Sequence, residues 1–118
     1  MASRSVQVHF NNQTNNALAL TQSNLDHGIW SFDDKPPQQI NANQLDVQWG
    51  SESDGTLTGT QGSVTYNLSS GGSIQMGWDN PYVGSNTYST NAPSGYSLTY
   101  TGGSEDNANV VFTLSVSG

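Results

Sequence analysis

The 118-residue chain contains no cysteine. Disulfides, thiolate metal sites and cysteine nucleophiles are excluded together. Small extracellular domains are often stapled by disulfides, so the absence favours storage in the cytoplasm. Positive charge is almost as scarce. Arg4 and Lys35 stand against nine acids, giving a formal charge of −7. Phosphate recognition needs clustered Lys and Arg, so no nucleic-acid partner is expected. The same deficit counts against attraction to anionic lipid, where each basic residue would contribute about 1 kcal/mol. A neutral or zwitterionic partner fits better: a sugar, a sphingolipid headgroup, a sterol-rich membrane or another protein. No apolar run approaches the ~18 residues needed to span a bilayer. Residues 1–5 lead straight into a patterned segment without an apolar stretch, so no signal peptide is expected. The sequons at Asn12 and Asn67 then read as chance matches in an Asn- and Ser-rich chain. Helical spacing is also missing: no segment repeats apolar residues at i, i+3, i+4 and i+7 over three turns.

What is present has a period of two. Val6, Val8 and Phe10 alternate with Gln7 and His9, and Leu18 and Leu20 share a face. Leu45, Val47 and Trp49 follow, then Val64, Tyr66 and Leu68, and then Ile74, Met76 and Trp78. Tyr96, Leu98 and Tyr100 precede Val110, Phe112, Leu114 and Val116. Such alternation marks half-buried strands. Turn clusters lie at residues 11–16, 69–72 and 102–107, and longer connections at 22–37 and 80–95. Pro36 and Pro37 cannot sit in a central strand. The expectation is one all-β domain over residues 1–118, an antiparallel β-sandwich of about eight or nine short strands. Its exposed edge strands would allow a homodimer as well as a monomer.

Little in this pattern suggests catalysis. His9 falls out of phase with Val8 and Phe10 and should face solvent. His27 sits beside Asp26 in a connection. Two histidines without cysteine make a poor zinc set, so no metal or cofactor is expected. No Gly-x-Ser-x-Gly elbow supports a Ser-His-Asp triad. Ser51 to Gly55 superficially resembles a calcium loop but lacks the continued acidic spacing. Paired carboxylates could serve glycoside chemistry, but that needs a deep cleft. The aromatic connections are more informative. Ile29, Trp30 and Phe32 lie close together in one. Trp78, Asp79, Asn80, Pro81, Tyr82 and Asn86 lie in or beside the other. Trp30 and Trp78 either plug the core or form a contact surface; Phe32 and Tyr82 are the better candidates for exposure. Trp and Tyr suit a bilayer interface or the face of a sugar, having an apolar body and a polar tip.

Several segments, in order, resemble the aegerolysins, small acidic β-sandwich proteins of fungi and bacteria that extend to some bacterial crystal proteins. Pro37 to Asn41 resembles the family's proline and Gln-Ile-Asn before a strand. Gly55 to Gly62 resembles its Gly- and Thr-rich turn. Trp78-Asp79-Asn80-Pro81-Tyr82 resembles its Trp-Asp-x-Pro-aromatic segment, with Gly84-Ser85-Asn86-Thr87 after it. Tyr96 to Gly102 resembles the next strand and turn. Asn80 stands where the family has Cys, and Tyr82 where it has a second Trp. The resemblance implies a non-enzymatic recogniser of membrane sphingolipid and sterol. It also implies a perforin-like partner, as in two-component cytolysins or insecticidal toxins acting on the outer surface of target membranes. Trp30, Phe32, Trp78 and Tyr82 would then meet the headgroup layer, and Asp79, Asn80 and Asn86 would hydrogen-bond a headgroup. A lectin on a similar sandwich, using the same residues on a glycan, is the alternative. A structural or storage protein is a third reading, and an enzyme a distant fourth.

Overall fold

A computed structural model describes residues 2–117. It contains ten strands: β1 (Ser5–Gln13), β2 (Leu18–His27), β3 (Ile29–Trp30), β4 (Gln39–Ile40), β5 (Val47–Glu52), β6 (Thr60–Leu68), β7 (Ser73–Asn80), β8 (Thr87–Asn91), β9 (Tyr96–Gly102) and β10 (Asn107–Val116). They form two five-stranded sheets. The first is ordered β3-β5-β1-β10-β9 and the second β4-β2-β6-β7-β8. All pairings are antiparallel except one. β1 and β10 run parallel in unbroken register from Ser5↔Asn107 to Gln13↔Ser115. A parallel pair needs a long crossover, and here the whole intervening chain supplies it.

The alternating residues meet between the sheets. Val6, Val8 and Phe10 of β1 and Val110, Phe112 and Leu114 of β10 are buried, as are Trp49, Val64, Tyr66, Ile74 and Met76. Burial pushes the Tyr66 phenol upward, and its hydroxyl donates to the Pro37 carbonyl at 2.7 Å. This part-buried bond fixes the Pro36-Pro37 corner onto the core.

Two expected connections are partly strand. Residues 22–27 continue β2, and 87–91 form β8. Both are mostly exposed along their length, so they lack the apolar alternation that marks a half-buried strand. β2 also carries register shifts between Leu20 and Gln22 and between Leu25 and His27, which break the period. The two-residue strands β3 and β4 are too short to show any period.

Candidate functional site: the loop end of the sandwich

The pairing registers bring one set of strand ends together. β1, β3, β6, β8 and β10 begin here, and β2, β5, β7 and β9 finish here. The end is closed by residues 2–4, Gly28 and the loops 53–59, 81–86 and 103–106. Gly59 is required where the first two of these loops touch, because a Cβ there would strike the Asn80 carbonyl and Pro81.

Beneath the loops lies a polar chain within the core. The Trp78 indole, 2% exposed, donates to Ser51 Oγ at 2.9 Å. The Ser51 and Thr60 hydroxyls are 2.8 Å apart, and Thr60 donates to the His27 carbonyl at 3.2 Å. This links β7, β5, β6 and β2 across both sheets. Trp30 is half-buried and meets Trp78 edge-on at 6.0 Å. Asn80 is buried, and its amide donates to the Ser5 and Asp106 carbonyls at 3.0 and 2.7 Å. Asn86 bridges the Gly103 and Glu105 carbonyls, both at 2.8 Å. Tyr88 donates to Gly103 at 2.7 Å, and burial holds its phenol protonated up to about 12.

These contacts correct part of the expected headgroup set. Trp78 and Asn80 are packed inside and cannot meet a headgroup. Asn86 spends its amide on the neighbouring loop, and Trp30 supports Trp78. Sequence position alone hid this, because a strand's last inward residue and a loop's first outward one look alike. Phe32 is 98% exposed, as expected. It stands on the flank, in a segment pinned to β5 by hydrogen bonds between Ser31 and Gly50 and between Gly50 and Asp34. Asp79 is half-buried beside Pro81 and Tyr82.

Tyr82 does lie at the end, with company not singled out from the sequence. Ile29 is 44% exposed, Leu57 66% and Val83 83%. With Tyr82 they form an apolar crown drawn from three separate segments. Leu57 and Tyr82 make a ridge between two grooves. One, of about 470 Å³, is lined by Ile29, Glu52, Asp54 and residues 2–3; the other, of about 390 Å³, by His27, Thr58, Asp79 and Pro81. Leu57 has φ +60°. A branched non-glycine side chain rarely tolerates the left-handed region, and such strain costs about 1–3 kcal/mol and clusters at functional positions.

Arg4 fixes Tyr82. Its guanidinium lies 4.5 Å from the ring centroid and donates to the Tyr82 carbonyl at 2.8 Å. The same side chain approaches Asp106 at 3.7 Å. Ser53 holds the Arg4 backbone from both sides, Oγ accepting at 3.2 Å and N–H donating at 2.8 Å. One of the two cations in the chain is therefore spent on loop placement.

Solved structures share this architecture. RahU superposes with a TM-score of 0.79 at 18% identity, covering 100% of this chain and 98% of RahU. Nakanori, described as a lipid binding protein, gives 0.78 at 16% identity over 98% of this chain and 72% of its own. The wild-type Xerocomus chrysenteron lectin XCL gives 0.60 at 9% identity, over 95% and 99%. The fold is aegerolysin-like. An uncharacterized protein of Dictyostelium discoideum is 29% identical over 89 residues, which is 75% of this chain but 8% of that much longer relative. No family model matches the chain.

Proposed function

We propose that this aegerolysin-like protein is a non-enzymatic membrane-lipid binder whose contact surface is the loop end. The observation that carries the reading is the crown of Ile29, Leu57 and Val83, exposed at one end around a half-buried Tyr82, with Leu57 held in a strained backbone conformation. Exposed apolar side chains grouped on a polar surface mark interaction sites. Each can contribute roughly 1.5–3 kcal/mol on full burial, so three or four partly inserted chains suffice for useful membrane affinity. Tyr82 suits the headgroup level, with its apolar ring and polar tip. The nearby carboxylates of Glu52, Asp54, Glu105 and Asp106 disfavour anionic lipid, so the surface suits a net-neutral headgroup. Nakanori's description as a lipid binding protein supports the same direction.

The finer reading is a sphingolipid presented with sterol on the outer surface of a target membrane, with a perforin-like partner completing a two-component cytolysin or insecticidal toxin. It rests on the Trp-Asp-x-Pro-aromatic segment and its neighbours. Sedimentation with protein-free vesicles tests it: sphingomyelin with cholesterol, ceramide phosphoethanolamine with cholesterol, and phosphatidylcholine alone. The expected result is selective pelleting with a sphingolipid mixture, lost in a folded Tyr82→Ala variant. Absence of pelleting with every mixture refutes the reading.

A further inference from the structure

The outer faces of the two sheets treat their polar side chains differently. On the first sheet they satisfy one another. Gln7 donates to Asp34 and Gln48 at 3.0 and 3.3 Å, His9 bridges Asp46 and Asn109 at 2.9 and 3.1 Å, and Gln48 donates to Asp46 at 3.1 Å. The second sheet carries two polar rungs near the loop end. Gln61, Asp79 and Thr87 are register partners in one; Asn24, Ser63, Gly77 and Ser89 form the next. Among the described residues, the side chains of Gln61, Ser63, Asp79, Thr87 and Ser89 make no hydrogen bond with the protein.

These rungs frame a groove of about 240 Å³. Gly77 forms its floor, and a Cβ there would run into Ser89 Oγ. Glycine weakens a strand interior and often marks close approach by a ligand. Asp26 enters from the register shift between Leu25 and His27. Such bulges re-aim side chains and recur beside binding sites. Asn24 steadies its carboxylate at 2.9 Å. Asp26 on β2 and Asp79 on β7 are separated by β6 alone, so roughly 10 Å lies between their strands. Trp78 and Tyr88 complete the lining.

We infer that this groove is a carbohydrate site, separate from the apolar crown, that takes a neutral hexose unit. The chemistry selects that class. Two carboxylates on opposite sides of the groove accept hydrogen bonds from hydroxyls at opposite edges of a ring, and Gln61, Ser63, Thr87 and Ser89 both donate and accept. No cation is present to hold an anion. No group of three metal-ligating side chains occurs among the described residues. The groove spans about one pyranose ring with its hydroxyls. The sugar could be free or carried on a glycolipid, and the two sources separate experimentally.

Amide NMR of the full chain should be recorded while titrating lactose and the methyl glycosides of glucose, mannose and N-acetylglucosamine. In parallel, sedimentation with lactosylceramide in phosphatidylcholine vesicles should be compared with phosphatidylcholine alone. The expected result is shifts clustered at Ser63, Gly77, Asp79 and Ser89, or selective pelleting with lactosylceramide. Either response should weaken about tenfold or more in Asp26→Asn and Asp79→Asn. Gly77→Ala combined with Ser89→Ala fills the floor without the clash, and should abolish binding in a folded protein. No shift with any sugar and no selective pelleting overturns the inference, as does a response these variants leave unchanged. Tyr82→Ala should leave the sugar response intact, and Asp26→Asn should leave sphingomyelin sedimentation intact. Loss of both activities in Tyr82→Ala would merge the groove with the crown and sink the separate site.

Discussion

Leu57 combines backbone strain with the contact role proposed for it. Replacing it with Gly removes the penalty of a left-handed backbone but adds chain entropy to the unfolded state. These effects are each about 1 kcal/mol and opposed. Leu57→Gly is therefore expected to keep the thermal midpoint unchanged or slightly higher, while vesicle affinity falls about tenfold. A lower midpoint with intact binding would mark Leu57 as structural. Ser51 is the reverse case. Ser51→Ala strips the acceptor from the buried Trp78 indole and should destabilise by about 1–3 kcal/mol. Urea denaturation at constant m-value reads that loss, and vesicle binding by the folded fraction should be retained. At this scale the sequence was half legible. Phe32 read as exposed from loop aromaticity and is so; Tyr82 read the same way but is half-buried against Arg4. Leu57 gave no signal, because its importance lies in a φ angle. Trp78 closed the visible alternation of Ile74 and Met76, at a strand end where burial depends on the opposite sheet.

Elements that bury one face were legible, and elements that bury little were not. β1, β6, β7, β9 and β10 alternate because each presents every second residue to the core. β8 covers the core with Tyr88 and has no comparable period. Asparagine holds the element ends instead of disulfides. Asn12 donates to the Asn16 and Asn41 carbonyls at 2.8 and 3.0 Å, and Asn16 accepts from Ser69 and Ser70 at 3.1 and 2.9 Å. His9 performs a related task, tying β1 to β10 and to the residue just before β5. Desolvation pulls its pKa down, but hydrogen bonds to Asp46 and Asn109 and the charges of Asp46 and Asp34 outweigh it and raise the net value above 6.5. Asp46 is held below 3.8, first by the hydrogen bond from His9 and then by that from Gln48. The raised His9 stabilises fully below 6.5 and loses its effect as pH rises through its folded pKa; the lowered Asp46 stabilises above 3.8 and loses its effect as pH falls. Thermal midpoints should therefore show a small decline as pH rises from 6.5 into the mildly alkaline range, and His9→Gln should flatten it. A decline that persists in His9→Gln assigns it to another group.

At the scale of the whole molecule, the proposed function asks an acidic protein to approach a membrane with its apolar end. The net charge of −7 was legible at once, but its placement was not. Arg4 is packed beneath Tyr82 and pairs with Asp106, so it offers little to anionic lipid. Glu52, Asp54, Glu105 and Asp106 surround the crown. On the surface-potential scale, bringing each carboxylate to an anionic leaflet opposes binding by about 1 kcal/mol. Four of them offset about what two fully inserted apolar side chains contribute, at roughly 1.5–3 kcal/mol each. Electrostatics should thus decide between membranes that the crown alone treats alike. Binding to sphingomyelin–cholesterol vesicles should weaken as phosphatidylserine replaces phosphatidylcholine. Salt should restore much of it, because exposed charges are screened within about 8 Å at physiological ionic strength. A double substitution, Glu52→Gln with Asp54→Asn, should reduce the phosphatidylserine penalty without changing affinity for neutral vesicles. Stronger binding to phosphatidylserine in the unmodified protein would show that another face meets the membrane, and the crown would lose its assignment.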